Sequence, residues 1–105
     1  MTRGEIWLVN LGPMVGSEIR KTGPRVVVSP DEMHDHLRTV LVAPMTTAGR
    51  EAPFRIGVTH GGRKGLIPLD QVRAVDKTRL AKKLGVVSAK TLAATLRTLQ
   101  EMFAE

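Results

Sequence analysis

Apolar and polar residues form short strand-like runs through the first two thirds of the chain. The run Arg25-Val26-Val27-Val28 is almost continuously β-branched, which predicts a buried strand. Gly61-Gly62 predicts a turn, and Ser29 before Pro30 predicts a short helix that Ser29 caps. The predicted strands are Glu5–Val9, Arg25–Val28, Arg38–Ala43, Phe54–Val58, Lys64–Leu69 and Gln71–Val75.

Near the C-terminus the apolar period changes from that of strands to that of a helix. Ser88 is a suitable N-cap, and after it large apolar residues recur every three or four positions: Leu92, Leu96, Leu99 and Phe103. This predicts an amphipathic helix of about four turns that packs on the sheet. Short strands followed by one helix predict a mainly β (α+β) fold, a curved sheet or small barrel, with residues 1–105 forming one domain.

Length and composition restrict the classes of protein that the chain could represent. Its 105 residues suit one domain with a modest core. The absence of cysteine excludes disulfides and cysteine-type zinc sites, and it suits a reducing cytoplasm. No long apolar run follows the first five residues, so we expect a cytoplasmic protein with neither a signal peptide nor a membrane span.

The charge balance favours an anionic partner. Sixteen lysines and arginines against ten acidic residues give a net charge of +6. Such an excess suits a nucleic-acid backbone, although it also keeps a small domain soluble. The only aromatic residues are Trp7, Phe54 and Phe103, which argues against binding by many stacked bases. Charge and hydrogen bonds would have to carry most of any nucleic-acid binding.

The three histidines are the first candidates for acid–base or metal chemistry. His34 and His36 could bind a metal from one strand face, but no third ligand stands out. We therefore interpret the histidines as solvent-exposed and expect no metal and no cofactor. His60 precedes Gly61-Gly62, and the glycine-rich stretch there predicts a hairpin turn rather than a phosphate loop.

Polar residues in the predicted loops are the remaining candidates for a site. They suit RNA cleavage without a metal, in which the ribose 2′-OH attacks the adjacent phosphorus. The protein must then supply a base for the 2′ proton, a cation for the phosphorane charge and a donor to the leaving 5′ oxygen. Alternatively, all of them are ordinary solvated loop residues. They are Ser17, Glu18, Arg20, Lys21, Thr22, Thr46, Thr47, Asp70, Gln71 and Arg73.

Several segments, in order along the chain, resemble the MazF/PemK toxins. The N-terminal stretch Arg3–Pro13, followed by Val15–Glu18, is similar to the opening of that family. The resemblance continues, at matching spacings, in Gly23–Ser29, Val42–Thr47 and Asp70–Lys77. It therefore spans essentially the whole chain.

This resemblance implies a small SH3-like barrel of five to seven short strands with a C-terminal helix, as in CcdB and PemK, that acts as a homodimer. It implies a metal-independent endoribonuclease toxin that cleaves single-stranded RNA at short motifs, leaving a 2′,3′-cyclic phosphate and a 5′-hydroxyl. It also implies a cognate antitoxin whose acidic C-terminal segment occupies the RNA groove.

The resemblance also assigns residues. It gives Thr46 the role of catalytic threonine and Glu18 a supporting catalytic role, and it assigns Gln71, with Asp70 and Arg73, to the RNA groove. Further expected RNA contacts in the loops are Ser17, Arg20 and Thr47.

The chain departs from the family at one catalytic position. The family's central arginine precedes the proline that opens the second strand, and this chain has Gly23 there. Losing a preorganised cation costs about two to three orders of magnitude in rate. Three explanations stay open: an inactivated form, transfer of the role to Lys21 or Arg25 on the same face of an extended segment, or a true family member with weak activity or another target.

Two rival functions also stay open. A CcdB-like toxin would bind gyrase without catalysis, although that mode relies on a distinctive C-terminal tail, and the tail here continues the predicted helix. An inactive relative would bind the antitoxin tightly and cut no RNA.

Overall fold

The computed structural model describes residues 1–11 and 22–105. Two α-helices are described there, α1 (Asp31–His36) and α2 (Ala89–Phe103), together with short 3₁₀ turns at Leu69–Gln71 and Lys77–Arg79. The strands of this part of the chain are β1 (Glu5–Asn10), β2 (Thr22–Val27), β3 (Thr39–Pro44), β4 (Arg55–His60), β5 (Arg63–Pro68), β6 (Arg73–Asp76) and β7 (Leu80–Val86).

Five of the strands form one antiparallel sheet in the order β6-β3-β2-β1-β7, and β4 and β5 form a separate hairpin. The two edge strands, β6 and β7, are joined by only the turn Lys77–Arg79, so the sheet must curl strongly to bring its edges together. No pairing joins β6 to β7 within the described ranges. The mainly β prediction with a C-terminal helix is confirmed, but the sheet is open rather than a closed barrel.

The curled sheet separates two hydrophobic clusters. The inner core lies on its concave side and comes from the sheet strands and the residue just after β1: Val9, Leu11, Val27, Val40, Val42 and Val75. The seam core lies between the other face, the β4–β5 hairpin and α2, and its buried members are Ile6, Val26, Val28, Ala43, Met45, Ile67, Leu69 and Val87. Neighbouring valines of β2 enter different cores, since successive side chains of a strand point to opposite faces.

The terminal helix begins as predicted but packs on a slightly different face. The Ser88 hydroxyl accepts a hydrogen bond from Thr91 N at 3.1 Å, which confirms its N-cap role. Leu92, Leu99 and Met102 pack on the seam core. The prediction for Phe103 is wrong: it is 76% exposed, because the buried stripe ends with Met102 near the end of the helix.

The strand β7 was not predicted. Its apolar residues Leu80 and Leu84 are four positions apart, which is a helical rather than a strand period. The segment nevertheless pairs with β1 as an edge strand, with Val86 opposite Glu5. Most of its side chains face solvent, so no alternation of apolar and polar residues marks it.

Two predictions around α1 are wrong. Ser29 does not cap the helix, and His34 is buried. The Ser29 hydroxyl oxygen accepts from Leu41 N at 3.0 Å and lies 2.7 Å from His34 Nε2. We therefore assign the Ser29 hydroxyl as donor to His34 Nε2. The imidazole then carries its proton on Nδ1 and donates it to the Met1 carbonyl at 3.2 Å. A buried polar pair thus ties the N-terminus to α1 and β3.

Candidate functional site

The first part of the site is the beginning of β2, where Gly23, Pro24 and Arg25 pair with β1. Gly23 lies opposite Val9 and Arg25 lies opposite Trp7. Since Arg25 precedes Val27 by two positions, it faces the concave side of the sheet, as Gly23 does. Pro24 faces the seam side. Side chains of this tripeptide therefore point to both faces of the sheet.

Arg25 carries its guanidinium back along the strand to Gly23. Its Nη1 donates a hydrogen bond to the Pro24 carbonyl at 3.4 Å, and it lies 3.4 Å from the point where a Cβ on Gly23 would stand. The residue is only 2% exposed. Burial, and secondarily the like charge of Arg73, lowers the pKa of the Arg25 guanidinium. Arginine remains a cation at neutral pH even so, and this one is largely removed from water.

The second part is the end of β3, which holds Thr46 beside β2. Met45 N donates to the Pro24 carbonyl at 3.1 Å, so Thr46 follows a residue that is hydrogen-bonded to the β2 entrance. Thr46 exchanges two backbone hydrogen bonds with Leu66, at 2.9 and 2.8 Å. Its side-chain Oγ1 accepts from Ala48 N at 3.0 Å, which orients the hydroxyl and leaves its proton directed elsewhere.

The approach of Thr46 to the hairpin requires a glycine. A Cβ on Gly65 would lie 2.5 Å from the Thr46 carbonyl oxygen and 3.2 Å from its carbonyl carbon. No real side chain fits such a gap, so residue 65 must lack one for the backbones to meet. This contact fixes the position of Thr46 against β5.

A cavity of about 230 Å³ opens beside Thr46 on the seam side. Two polar side chains of its wall, His60 and Arg63, were not among the predicted site residues. The sequence does carry a signal for these two residues. Val58 and His60 are two positions apart on β4 and so share a face, and His60 pairs with Arg63 across the turn to β5. The full lining is Pro24, Met45, Thr46, Thr47, Val58, His60, Arg63 and Gly65.

The Asp70–Arg73 segment divides into two environments. Asp70 accepts two hydrogen bonds from Arg55, at 3.1 and 3.2 Å, and this ion pair ties the 3₁₀ turn to the first residue of β4. Gln71 is half-buried in the 3₁₀ turn. Arg73 is exposed on β6 and close enough to repel Arg25. The charge of Arg73 therefore acts on the β2 entrance.

The predicted site residues that the structure describes fall into three sets. Gly23, Arg25 and Arg73 lie on the concave side, Thr46 and Thr47 line the cavity on the seam side, and Asp70 and Gln71 lie in the 3₁₀ turn before β6. The predictions for Ser17, Glu18, Arg20 and Lys21 lie outside the described residues. Across residues 1–11 and 22–105, no group of three or more His, Asp or Glu side chains could hold a metal ion, and no helix is long and apolar enough to cross a membrane.

Sequence comparison gives a consistent set of relatives. A family model described as PemK-like, MazF-like toxin of type II toxin-antitoxin system matches residues 2–103. The Escherichia coli protein named endoribonuclease PemK is 38% identical over 90 residues, covering 80% of this chain and 68% of that protein. The Staphylococcus saprophyticus protein named endoribonuclease MazF is 33% identical over 98 residues, covering 88% of this chain and 82% of that protein.

Solved structures share the fold. The crystal structure of MazF from Deinococcus radiodurans matches with a TM-score of 0.82 at 24% identity, covering 97% of this chain and 94% of that chain. An endoribonuclease from a mycobacterial species, in complex with its cognate antitoxin, matches with a TM-score of 0.81 at 22% identity, covering 96% and 92%. At these identities the likeness establishes the architecture, an open β-sheet with a terminal helix.

Proposed function

Since the chain belongs to the PemK-like, MazF-like toxins of type II toxin–antitoxin systems, we propose that it is a metal-independent endoribonuclease. It cuts single-stranded RNA, including mRNA, at short sequence motifs and so arrests growth. The relatives named endoribonuclease PemK and endoribonuclease MazF support this activity.

The proposed reaction needs no metal, because the nucleophile belongs to the substrate. The ribose 2′ oxygen attacks the adjacent phosphorus while its proton passes to a base, for which Glu18 is the candidate. The bond from phosphorus to the 5′ oxygen breaks, and that oxygen takes a proton. The products are a 2′,3′-cyclic phosphate and a 5′-hydroxyl. The protein must chiefly stabilise the negative charge that builds on the phosphorane.

The observation that carries the proposal is the position of the Arg25 guanidinium. It lies within 3.4 Å of where a side chain at position 23 would begin, which is the position at which the family resemblance expects an arginine. It is also buried, and a desolvated, pre-positioned cation stabilises developing charge better than a solvated one. We therefore assign the phosphorane-stabilising role to Arg25, with Arg73 as a nearby contact to the RNA backbone.

Thr46 is the proposed hydroxyl donor to the reacting phosphate. Its backbone is held by Leu66, and its hydroxyl oxygen already accepts from Ala48 N, so the hydroxyl proton is the part left to donate. The bond from Met45 N to the Pro24 carbonyl holds this donor close to the β2 entrance. Gln71, Asp70 and Thr47, with Ser17, Arg20 and Lys21, complete the proposed RNA contacts.

The positive charge of the chain also suggests its partners. A net charge of +6 suits both RNA and the acidic C-terminal segment of a cognate antitoxin, which would compete for one groove. The mycobacterial relative solved with its cognate antitoxin supports such a partner. We further propose that the chain acts as a homodimer in the cytoplasm.

The test is cleavage of a long RNA in the presence of EDTA, followed by analysis of the new ends. We expect discrete cuts with 2′,3′-cyclic phosphate and 5′-hydroxyl termini. Arg25→Met and Thr46→Ala should each lower the rate by about two to three orders of magnitude. The matched control Arg38→Ala removes an exposed cation just before β3 and should change the cleavage rate less than about twofold.

Two results would contradict the proposal. Uncut RNA at high protein excess, together with tight antitoxin binding, would identify an inactive relative. Uncut RNA together with gyrase-dependent DNA breaks would identify a gyrase poison.

A further inference from the structure

The cavity beside Thr46 combines an apolar floor with two flat polar groups. Met45 and Val58, both part of or packed on the seam core, form apolar wall, and the imidazole of His60 and the guanidinium of Arg63 contribute the planar groups. At about 230 Å³ the cavity is smaller than the sites of drug-sized ligands, which begin at roughly 300 Å³. It suits one small, flat, largely apolar molecule with polar edges.

An unpaired nucleobase has these properties. Proteins that read single-stranded RNA splay bases out of the strand and stack them on aromatic rings, histidine included, or on arginine guanidinium planes. The described aromatic residues Trp7, Phe54 and Phe103 are not part of this wall. His60 and Arg63 are therefore the groups in the cavity that could stack with a base.

We propose that this cavity binds one unpaired base of the RNA, stacked on His60 and Arg63, and that it helps to determine the cleavage motif. The inference deepens the proposed function and rests on it, since Thr46 lines the same cavity. A base held there belongs to a nucleotide next to the bond that is cut. The Thr47 hydroxyl, at the same wall, can bond to the edge of the base and distinguish one base from another.

Glycines let two parts of the cavity wall approach neighbouring backbone closely. A Cβ on Gly85 of β7 would lie 3.2 Å from His60 Cε1, so the absence of a side chain there leaves room for the imidazole against the sheet edge. On the other side, the contact of Gly65 with Thr46 fixes β5. A preformed pocket loses little entropy when a base enters, which favours selective binding.

The first test is cleavage of an RNA library with a randomised segment, followed by sequencing of the cut ends. We expect His60→Ala and Arg63→Ala each to reduce base selectivity roughly tenfold at the same position beside the cut, because a base that is no longer stacked is not held with its edge against the Thr47 hydroxyl. Selectivity at the other positions should remain. The matched control is His36→Ala, which removes an exposed histidine of α1 and should leave the motif unchanged.

The second test separates the pocket from the cleavage activity. A 2′-O-methyl oligonucleotide cannot be cut, because it lacks the free 2′-OH, but it still presents its bases. We expect its binding to shift the NMR signals of the His60 imidazole. An oligonucleotide with an abasic residue at the selected position should bind the wild type roughly tenfold more weakly than the intact oligonucleotide does. The His60→Ala variant should bind the two oligonucleotides with equal affinity.

The outcomes distinguish the two proposals. Oligonucleotide binding with a base-dependent His60 signal, but without cleavage of normal RNA, would support the pocket and contradict the endoribonuclease. Cleavage with an unaltered motif in both variants and no His60 signal would overturn the pocket and leave the endoribonuclease standing. A His60 signal produced by an acidic peptide with one apolar side chain, and not by the oligonucleotide, would identify a peptide site instead.

Discussion

The inner core and the seam core are both hydrophobic, but they are assembled differently. The inner core is enclosed by a single curled sheet, and among the described residues five of its six buried members are valines. The seam core combines residues from the sheet, the β4–β5 hairpin and α2. The first depends on alternation within strands and the second on the docking of distant segments.

The candidate site lies where these two regions meet. Arg25, on the concave side, contributes a buried cation, and Thr46, on the seam side, contributes a hydroxyl. A sheet residue, Pro24, connects them through its carbonyl, which accepts from both Arg25 and Met45 N. The position of the cation therefore depends on strand register, whereas the position of the hydroxyl depends on how closely the hairpin docks.

The largest effect should come from forcing the hairpin away from Thr46. Gly65→Ala would put a Cβ 2.5 Å from the Thr46 carbonyl oxygen, so one backbone must move. We expect a loss of about 2 to 3 kcal/mol in the free energy of unfolding and at least a hundredfold loss of RNA cleavage. Denaturant unfolding and an RNA cleavage assay would measure both.

The matched control for that substitution is Gly57→Ala on the neighbouring strand. A Cβ at Gly57 meets nothing within 4 Å, so stability and cleavage should be preserved. Equal behaviour of the two alanine variants would show that the close contact does not position Thr46.

A smaller effect should come from truncating the inner core. Val42 is fully buried between β2 and β6, so Val42→Ala should lower the free energy of unfolding by about 2 kcal/mol. Val86→Ala makes the same change on the edge strand at a residue that is 60% exposed, and should cost under about 0.5 kcal/mol. Urea denaturation of the two variants tests the contrast, and similar losses would mean that the sheet does not enclose a separate core.

The smallest effect should appear at the sheet edge, where Glu5 joins β1 to β7. Burial alone would raise its pKa, but hydrogen bonds from Lys83, Trp7 and Thr2 outweigh it and lower the pKa from 4.5 to about 2. The resulting stability is complete above the unfolded-state pKa and is lost as the pH falls from about 4.5 to about 2.

Glu5→Gln should therefore lower the free energy of unfolding by about 1 kcal/mol at pH 7. The difference from wild type should shrink below pH 4.5 and be lost as the pH falls through about 2. Thermal unfolding across this pH range measures it. A difference that is constant with pH would exclude the carboxylate charge as its source.

The strands that build the inner core could be predicted because their composition is strongly β-branched. Arg25–Val28 and Arg38–Ala43 correspond to β2 and β3 within a few residues. The strand β7 could not, because an exposed edge strand needs no apolar alternation and is held by its pairing with β1. The burial of His34 depends on the remote partner Met1, which no local pattern reveals.

The candidate site was only partly predictable. Strand alternation put Arg25 on the face of Gly23, but its burial and the return of its guanidinium toward Gly23 depend on the curl of the sheet. The hairpin turn predicted at Gly61-Gly62 is correct, since both glycines have positive φ, but His60, predicted to be solvent-exposed, is half-buried at the end of β4. The role of His60 and Arg63 in a cavity wall arises only when the hairpin docks beside Thr46.

An arginine exchange shows whether the Arg25 guanidinium takes the role of an arginine at position 23. RNA cleavage rates would be compared for wild type, Arg25→Val and the double variant Gly23→Arg/Arg25→Val. We predict that Arg25→Val loses at least a hundredfold and that the double variant recovers to within about tenfold of wild type. An inactive wild type that Gly23→Arg alone activates, with no further change on adding Arg25→Val, would contradict the claim.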